Sequence, residues 1–462
     1  MKNLVGLFIL SCCFWLPKYS IAQTQAISDS LQQILDASLP TNFSNPGIVM
    51  TVYVPGQWTW SGASGNAIAG ITAGQPISNA TPTTRFRVGS ITKNMVATCI
   101  LKLEEDGLLS IEDPINDYLR ATMITDTIQN SDTIRIRHLL NHTSGIANSG
   151  DNTTCQMDVL TNPLGSHTYE EAVYCGASLG ELFTPGTSWS YSNTNYTILA
   201  MIIEEVSGMT YRNYLTQTII TPLGLTATEI PVSNQITGAH MGCYWNLGTW
   251  TDLTIIHPST YTAWADVVSS SQDLVSYYEA LRNGNIIGNT ALQKMYTIDA
   301  AANAYGLGTD FYTISGDDYI GHYGEVANTS GLFFCDISSS TAPQGYYIAY
   351  NFNTQGAQMQ TKIDVPVHHL LNSGYTSIEE KTNISSLHIF PNPSDVSIQF
   401  YVSDGSLVKT WTIIDLQGRI VLQQPEHWQQ STSIDVSSLA AGSYMLQLQT
   451  TSGMHQQKFI RQ

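Results

Sequence analysis

Thr84-Arg-Phe-Arg-Val-Gly-Ser90-Ile-Thr-Lys93 is the stretch on which the fold of this chain turns. After it, Ile91, Met95, Cys99 and Leu103 recur at helical spacing, which predicts a helix from Ser90 to Asp106 with Gly107 as its stop. On a helix, residues three apart share a face, so the Lys93 amine can reach the Ser90 hydroxyl. A serine hydroxyl is a poor nucleophile until a base takes its proton, and a lysine is a base only where burial or nearby positive charge lowers its pKa. The start of the helix also turns backbone N–H groups toward negative charge developing at Ser90.

The spacing has decoys. Ser406-Leu-Val-Lys409 repeats it in a β-like segment, where residues three apart face opposite ways. Tyr191-Ser192-Asn193 follows the Pro185-Gly186 turn and can present a phenol for proton relay and an amide for a substrate carbonyl. Tyr211-Arg-Asn213 and Tyr244-Trp-Asn246 share its pattern, however. His322-Tyr323-Gly324 ends a β-run, where a strand edge can offer an N–H to a carbonyl, and His240-Met-Gly242 competes with it. Gly176-Ala-Ser178-Leu-Gly180 matches a nucleophile elbow, but an elbow follows a strand, whereas Tyr169 to Tyr174 reads as helix.

Outward from these motifs, the chain reads as a mixed domain followed by a smaller one. A helix from Gln25 to Leu39 precedes two β-runs, Gly47 to Val54 and Gln57 to Ser61, joined at Pro55-Gly56. Residues 110–300 alternate helices with loops. Tyr319 to Tyr323, Gly331 to Ile337 and Tyr346 to Phe352 then read as three strands, and residues 359–372 as a last helix. Beyond a polar linker, 376–383, the period becomes two in Val396–Phe400 and Tyr444–Leu448, with a hairpin turn at Asp415–Gly418. Residues 384–462 therefore read as a small β-sandwich.

At 462 residues with 42% hydrophobic and 12% charged side chains, the chain can bury a large core and a second small one. A formal net charge of −18 excludes nucleic acid as a natural partner. Lys2, the apolar run Val5 to Leu16 and Ser20-Ile21-Ala22 form a signal peptide over 1–22, too short to span a membrane, and no other segment is long and apolar enough to do so. Cys12, after Ile9-Leu10-Ser11, is the alternative: a lipid-attachment cysteine. Cys155 and Cys175 flank a loop-rich stretch and can pair in an oxidising compartment, whereas Cys99 on its apolar face reads as packing. Neither C-x-x-C nor H-E-x-x-H occurs, so no metal or organic cofactor is implied.

The Thr84–Lys93 stretch, with Leu101–Ser110 after it, resembles the penicillin-recognising serine hydrolases. These include class C β-lactamases, D-alanyl-D-alanine carboxypeptidases, and related esterases and D-aminopeptidases. Ile136-Arg-His-Leu-Leu-Asn-His-Thr-Ser-Gly-Ile146, Pro185 to Tyr196 and Tyr305-Gly-Leu-Gly308 match the same family in order. The resemblance implies an α+β fold of the β-lactamase/transpeptidase type over 23–375, an antiparallel sheet flanked by helices with a helical lobe. It makes Ser90 the acylated nucleophile, Lys93 its base, Tyr191 the proton relay and Asn193 a binder of the substrate amide. His322 would replace the third-motif lysine, and the N–H groups of Ser90 and Glu325 would form the oxyanion hole beside Gly324.

Two departures touch the substrate, which the resemblance makes a small molecule or peptide. The carboxypeptidase branch carries an arginine after Gly-Leu-Gly to hold a terminal carboxylate, and this chain has Thr309-Asp310-Phe311. After His322 stand bulky Tyr323 and acidic Glu325. Ile389-Phe-Pro-Asn-Pro-Ser394, Ile414 to Arg419 and Leu439 to Tyr444 resemble the type A sorting domain of the type IX secretion system, which implies export and that machinery as a partner. A carbohydrate-binding sandwich is the alternative for the tail. For the whole chain the alternatives are an esterase or D-aminopeptidase of the same fold, or a surface binding protein that has lost turnover.

Overall fold

The computed structural model describes residues 25–119, 126–337, 339, 341–356 and 358–373. It also describes 387–462, apart from 391–393, 395, 403–407, 416–418, 425–431 and 451–453. The signal peptide at 1–22, the linker at 376–383, Ser406 and the turn residues 416–418 lie outside the described residues. The chain divides into two compact units, Met1–Tyr375 and Thr376–Gln462.

The first unit is built on a seven-stranded antiparallel sheet. From one edge to the other its strands are Ser78–Asn79, Trp58–Ile68, Gly47–Val54, Tyr346–Phe352, Thr329–Cys335, Asp317–Glu325 and Asp310–Ile314. The predicted hairpin is present, with its second strand running on to Ile68. Asp310–Ile314 is an edge strand that periodicity did not reveal.

Strand side chains alternate between faces, and the two faces feed separate cores. Ile48, Met50, Val52, Phe333, Ile348 and Tyr350 pack with the N-terminal helix Gln25–Ser38 and the last helix, Val365–Asn372. On the opposite face Val49, Leu332, Phe334, Tyr347 and Ala349 pack with the helical part. The last helix opens with a wider turn, Gln360–Asp364, next to Pro366. Proline has no N–H to donate to a carbonyl one turn back, so the helical ladder is broken there.

The helix carrying Lys93 is a turn Gly89–Ile91 continued by Thr92–Glu105. Every residue from Thr92 to Leu101 is buried, not only the Ile91, Met95, Cys99, Leu103 stripe. It is a central helix, packed against Asn193–Ser207 and its neighbours, so over that stretch no side is left for solvent, and only the last turn carries exposed charges. In the same lobe a disulfide joins Cys155 to Cys175, linking helices Thr153–Thr161 and Tyr169–Ala177. Cys99, Cys243 and Cys335 are free and buried.

The second unit has two antiparallel sheets. One comprises Leu387–Phe390, Ser397–Val402 and Thr432–Asp435; the other Ile420–Gln424, Val408–Asp415, Gly442–Thr450 and Met454–Arg461. Its core is made by Ile398 and Phe400 from the first, and by Ile413, Tyr444, Leu446, Leu448 and Phe459 from the second. The period-two pattern of Tyr444–Leu448 is the inward face of that sheet.

Candidate active site

Ser90 sits in the tight turn that begins the central helix, against the end of the Asp317–Glu325 strand. Gly89 has φ +59°, and a Cβ there would fall 2.7 Å from the Glu325 nitrogen. A Cβ on Gly324 would fall 2.0 Å from the Val88 oxygen and 3.0 Å from the Ser90 nitrogen. Only glycine permits this backbone-to-backbone approach, which brings the main-chain nitrogens of Ser90 and Glu325 into one neighbourhood. Ser330 Oγ donates to the Val88 oxygen (2.7 Å) and Asn328 Nδ2 to the Arg87 oxygen (2.7 Å), tying the two segments together.

Lys93 is fully buried, with Nζ 2.9 Å from Ser90 Oγ and 3.1 Å from the Trp264 carbonyl oxygen. Burial drives its pKa well below the ordinary lysine value, while the Asp310 carboxylate pulls the other way. The nitrogen also lies 4.8 Å from the ring centre of Tyr191, 5.5 Å from Tyr196 and 5.4 Å from Trp264. Ring faces favour the ammonium form by about 0.5–2 kcal/mol each at most. Full loss of hydration is the larger effect for a lysine, and it favours the neutral amine.

Tyr191 lies on the loop leading into Asn193–Ser207, where Asn193 is the first helical residue. Burial pushes the Tyr191 phenol pKa up, the Ser90 hydroxyl opposes this, and Asp310 reinforces it. Asn193 has its main-chain N–H on Asn148 Oδ1 (3.0 Å), and its own Oδ1 is buried with no hydrogen-bond partner among the described residues.

His142, to which the sequence assigns no role, organises this loop. Its φ is +62°. Its main-chain oxygen accepts from Ser190 N–H (3.0 Å), and its Nδ1 accepts from Ser192 N–H (3.1 Å). Its ring centre is 4.3 Å from Tyr191, 4.8 Å from Tyr305 and 5.4 Å from Tyr196. Because Nδ1 accepts, the proton of the neutral ring is on Nε2, which is buried without a partner among the described residues. The signal was present in Leu-Leu-Asn-His-Thr-Ser-Gly, but a single histidine in sequence does not declare its neighbours.

His322 is 3% exposed and points into the same space. Its Nδ1 donates to the Tyr323 carbonyl oxygen, and Tyr305 Oη lies 2.7 Å from Nε2, which is the acceptor when the ring is neutral. Burial lowers the His322 pKa; Asp310 raises it, and Lys93 lowers it further. Asp310 begins the neighbouring strand, paired with Gly321, and its Oδ2 is 3.8 Å from His322 Nδ1.

Tyr323 and Glu325 are placed differently. The pleat sends the Tyr323 side chain to the opposite face of the sheet, where its hydroxyl donates to Asp364 Oδ2 (2.7 Å) and its ring packs on Tyr312 and Phe333. Only the carbonyl of Tyr323 serves the site. The Glu325 side chain is exposed and accepts from Gly356 N–H (3.4 Å).

The decoys are accounted for by structure. Ser178 follows the helix Tyr169–Ala177 rather than a strand and is exposed, with Asn152 Nδ2 3.2 Å from its Oγ. Tyr211 opens a helix, with its hydroxyl on Asp266. Tyr244 gives its hydroxyl oxygen to Ala69 N–H, and His240 is bonded within its own turn. Lys409 lies in the strand Val408–Asp415.

A family model described as Beta-lactamase matches residues 37–371, and one described as Secretion system C-terminal sorting domain matches 388–462. A Bacillus subtilis (strain 168) protein carrying the name penicillin-binding protein PbpX is 31% identical over 293 residues, 63% of this chain and 68% of its own. Protein flp of Staphylococcus aureus (strain N315) is 27% identical over 286 residues, 60% of this chain and 54% of its own. The chain thus spans about two thirds of the first relative and about half of the second.

Among solved structures, a D-stereospecific amidohydrolase from Streptomyces sp. superposes with a TM-score of 0.65 at 27% identity, covering 75% of this chain and 99% of that one. A D-amino acid amidase from Ochrobactrum anthropi SV3 shares the fold, with a TM-score of 0.62 at 22% identity over 75% of this chain and 97% of that one. No helix among the described residues is long and apolar enough to cross a membrane. The chain belongs to the Beta-lactamase family of serine hydrolases, and its type IX sorting domain marks it as a secreted or cell-surface protein.

Proposed function

We propose that Ser90 is the nucleophile of an acyl-enzyme mechanism, with Lys93 as the first proton acceptor. The observation that carries this reading is a fully buried lysine nitrogen 2.9 Å from a serine oxygen at the start of a helix. The neutral amine takes the hydroxyl proton as Ser90 Oγ bonds to the substrate carbonyl carbon. The oxygen of the tetrahedral adduct meets the N–H groups of Ser90 and Glu325; losing one such donor typically costs about 3 kcal/mol in the barrier. Tyr191 passes the proton to the departing nitrogen or oxygen as the carbonyl–leaving-group bond breaks. Water then cleaves the ester by the reverse sequence, and the unsatisfied Asn193 Oδ1 is the acceptor for a substrate amide N–H.

The bond cleaved is an amide, ester or lactam. The relation to a D-stereospecific amidohydrolase favours an acyl group of D configuration. The D-alanyl-D-alanine carboxypeptidase variant of this reading requires a cation for the terminal carboxylate, since an unpaired carboxylate in a site is costly to bury. The test is labelling of the secreted protein with a fluorophosphonate, followed by peptide mapping. A single adduct on Ser90 is the expected result, and an adduct elsewhere or none overturns the assignment.

A further inference from the structure

Resting on that acyl-enzyme reading, we infer that Asp310 reads a positive charge on the substrate, so that the site takes amino-acid amides and esters with a free ammonium group. Such substrates are preferred to ones with a blocked amine or a terminal carboxylate. Asp310 is 34% exposed, and among the described residues its carboxylate accepts no hydrogen bond and has His322, at 3.8 Å, as its one ion-pair neighbour. One imidazole nitrogen is committed to the Tyr323 carbonyl and the other to Tyr305, and burial favours the neutral ring, which has no N–H to spare and no charge to offset the carboxylate. A substrate carboxylate would find no donor on that ring either.

The carboxylate stands beside the reaction site through His322, whose ring lies 6.5 Å from that of Tyr191 and 5.6 Å from that of Tyr305. Among the described residues no other cation lies within ion-pair distance of it. Arg87 is buried and turns Nη2 to the carbonyls of Thr254 and Ile256, and Lys93 is the base itself. A carboxylate beside the reacting groups, with open hydrogen-bonding positions, is completed by an ammonium and repels an anion.

The experiment compares kcat/KM for p-nitrophenyl esters of D-alanine, N-acetyl-D-alanine and D-lactate, with N-acetyl-D-alanyl-D-alanine as the anionic arm. The free-amine ester should exceed the uncharged lactate ester and the blocked ester by tenfold or more. That ratio should shrink as salt rises from 0.05 to about 0.5 M, because the attraction is screened. Asp310→Asn should collapse the ratio toward unity. Equal or better use of the blocked or anionic substrates by the unaltered protein overturns the inference, as does a ratio unchanged in Asp310→Asn. If fluorophosphonate fails to label Ser90, the acyl-enzyme reading itself is lost; if Ser90 labels but the amine brings no advantage, only the role of Asp310 falls.

Discussion

The Lys93 nitrogen lies 3.1 Å from the main-chain oxygen of Trp264, and this contact fixes how it meets Ser90. A carbonyl oxygen only accepts, so one N–H of Lys93 is directed at Trp264. In the neutral amine the lone pair is then free to face Ser90 Oγ at 2.9 Å. Arginine cannot stand in, because a guanidinium does not give up its proton at any working pH. Lys93→Arg should therefore be as inactive as Lys93→Ala, with acylation slowed by about 10²–10⁴, the usual scale of a positioned base. Stopped-flow acylation by a chromogenic ester measures this, and an active arginine variant would refute a base role.

The two candidate serines separate cleanly. Ser90→Ala should abolish covalent labelling, while Ser178→Ala should label like the unaltered protein, since Ser178 is an exposed residue at the end of a helix. Loss of labelling in a folded Ser178→Ala protein is the outcome that would reverse the choice of nucleophile.

The disulfide closes a loop of 20 residues between two helices of the lobe. Loop-closure entropy assigns such a link about 3 kcal/mol. Replacing both Cys155 and Cys175 by serine should lower the thermal midpoint, and dithiothreitol should lower that of the parent protein but not of the double variant. Identical midpoints with and without reductant in both proteins would show that the bond contributes nothing.

The tail has its own hydrophobic core. We expect a chain ending at Ser373 to fold and to retain full esterase or amidase activity. A well-folded but inactive truncation would make the tail part of the catalytic unit.

Much of this was legible in sequence, and the exceptions have physical causes. Ser90 and Lys93 were readable because three-residue spacing at a helix start forces proximity, whatever the rest of the fold does. Tyr323 was read as lining the site because it lies between His322 and Gly324, but alternation along a strand puts the middle of three residues on the far face. The Asp310–Ile314 strand was missed because its residues do not alternate between buried and exposed, so it carries no period of two. His142 gained its place from packing against three tyrosines distant in sequence, which no local pattern encodes.

The far side of the sheet supplies a pH-dependent prediction. Asp364 is fully buried, and Tyr312, Tyr323 and Tyr350 all place hydroxyls on its Oδ2, at 3.0, 2.7 and 3.1 Å. Burial raises its pKa from 3.8 to about 6, with the three phenols restraining the rise. The folded pKa is above the unfolded one, so between these values the native state binds more protons and stability increases as pH falls. The penalty for the charged form is fully present above about pH 6 and gone below about pH 4, and amounts to about 3 kcal/mol at 1.36 kcal/mol per unit. Asp364→Asn keeps an acceptor for the tyrosines but cannot titrate. The difference in unfolding free energy between the parent and this variant should therefore shift by about 3 kcal/mol in favour of the parent from pH 7.5 to pH 4. Urea titrations at the two pH values measure it. A difference that stays constant would mean that Asp364 does not change protonation in this range. Should the difference move the other way, the three phenols would have to outweigh burial and hold the carboxylate pKa below its unfolded value.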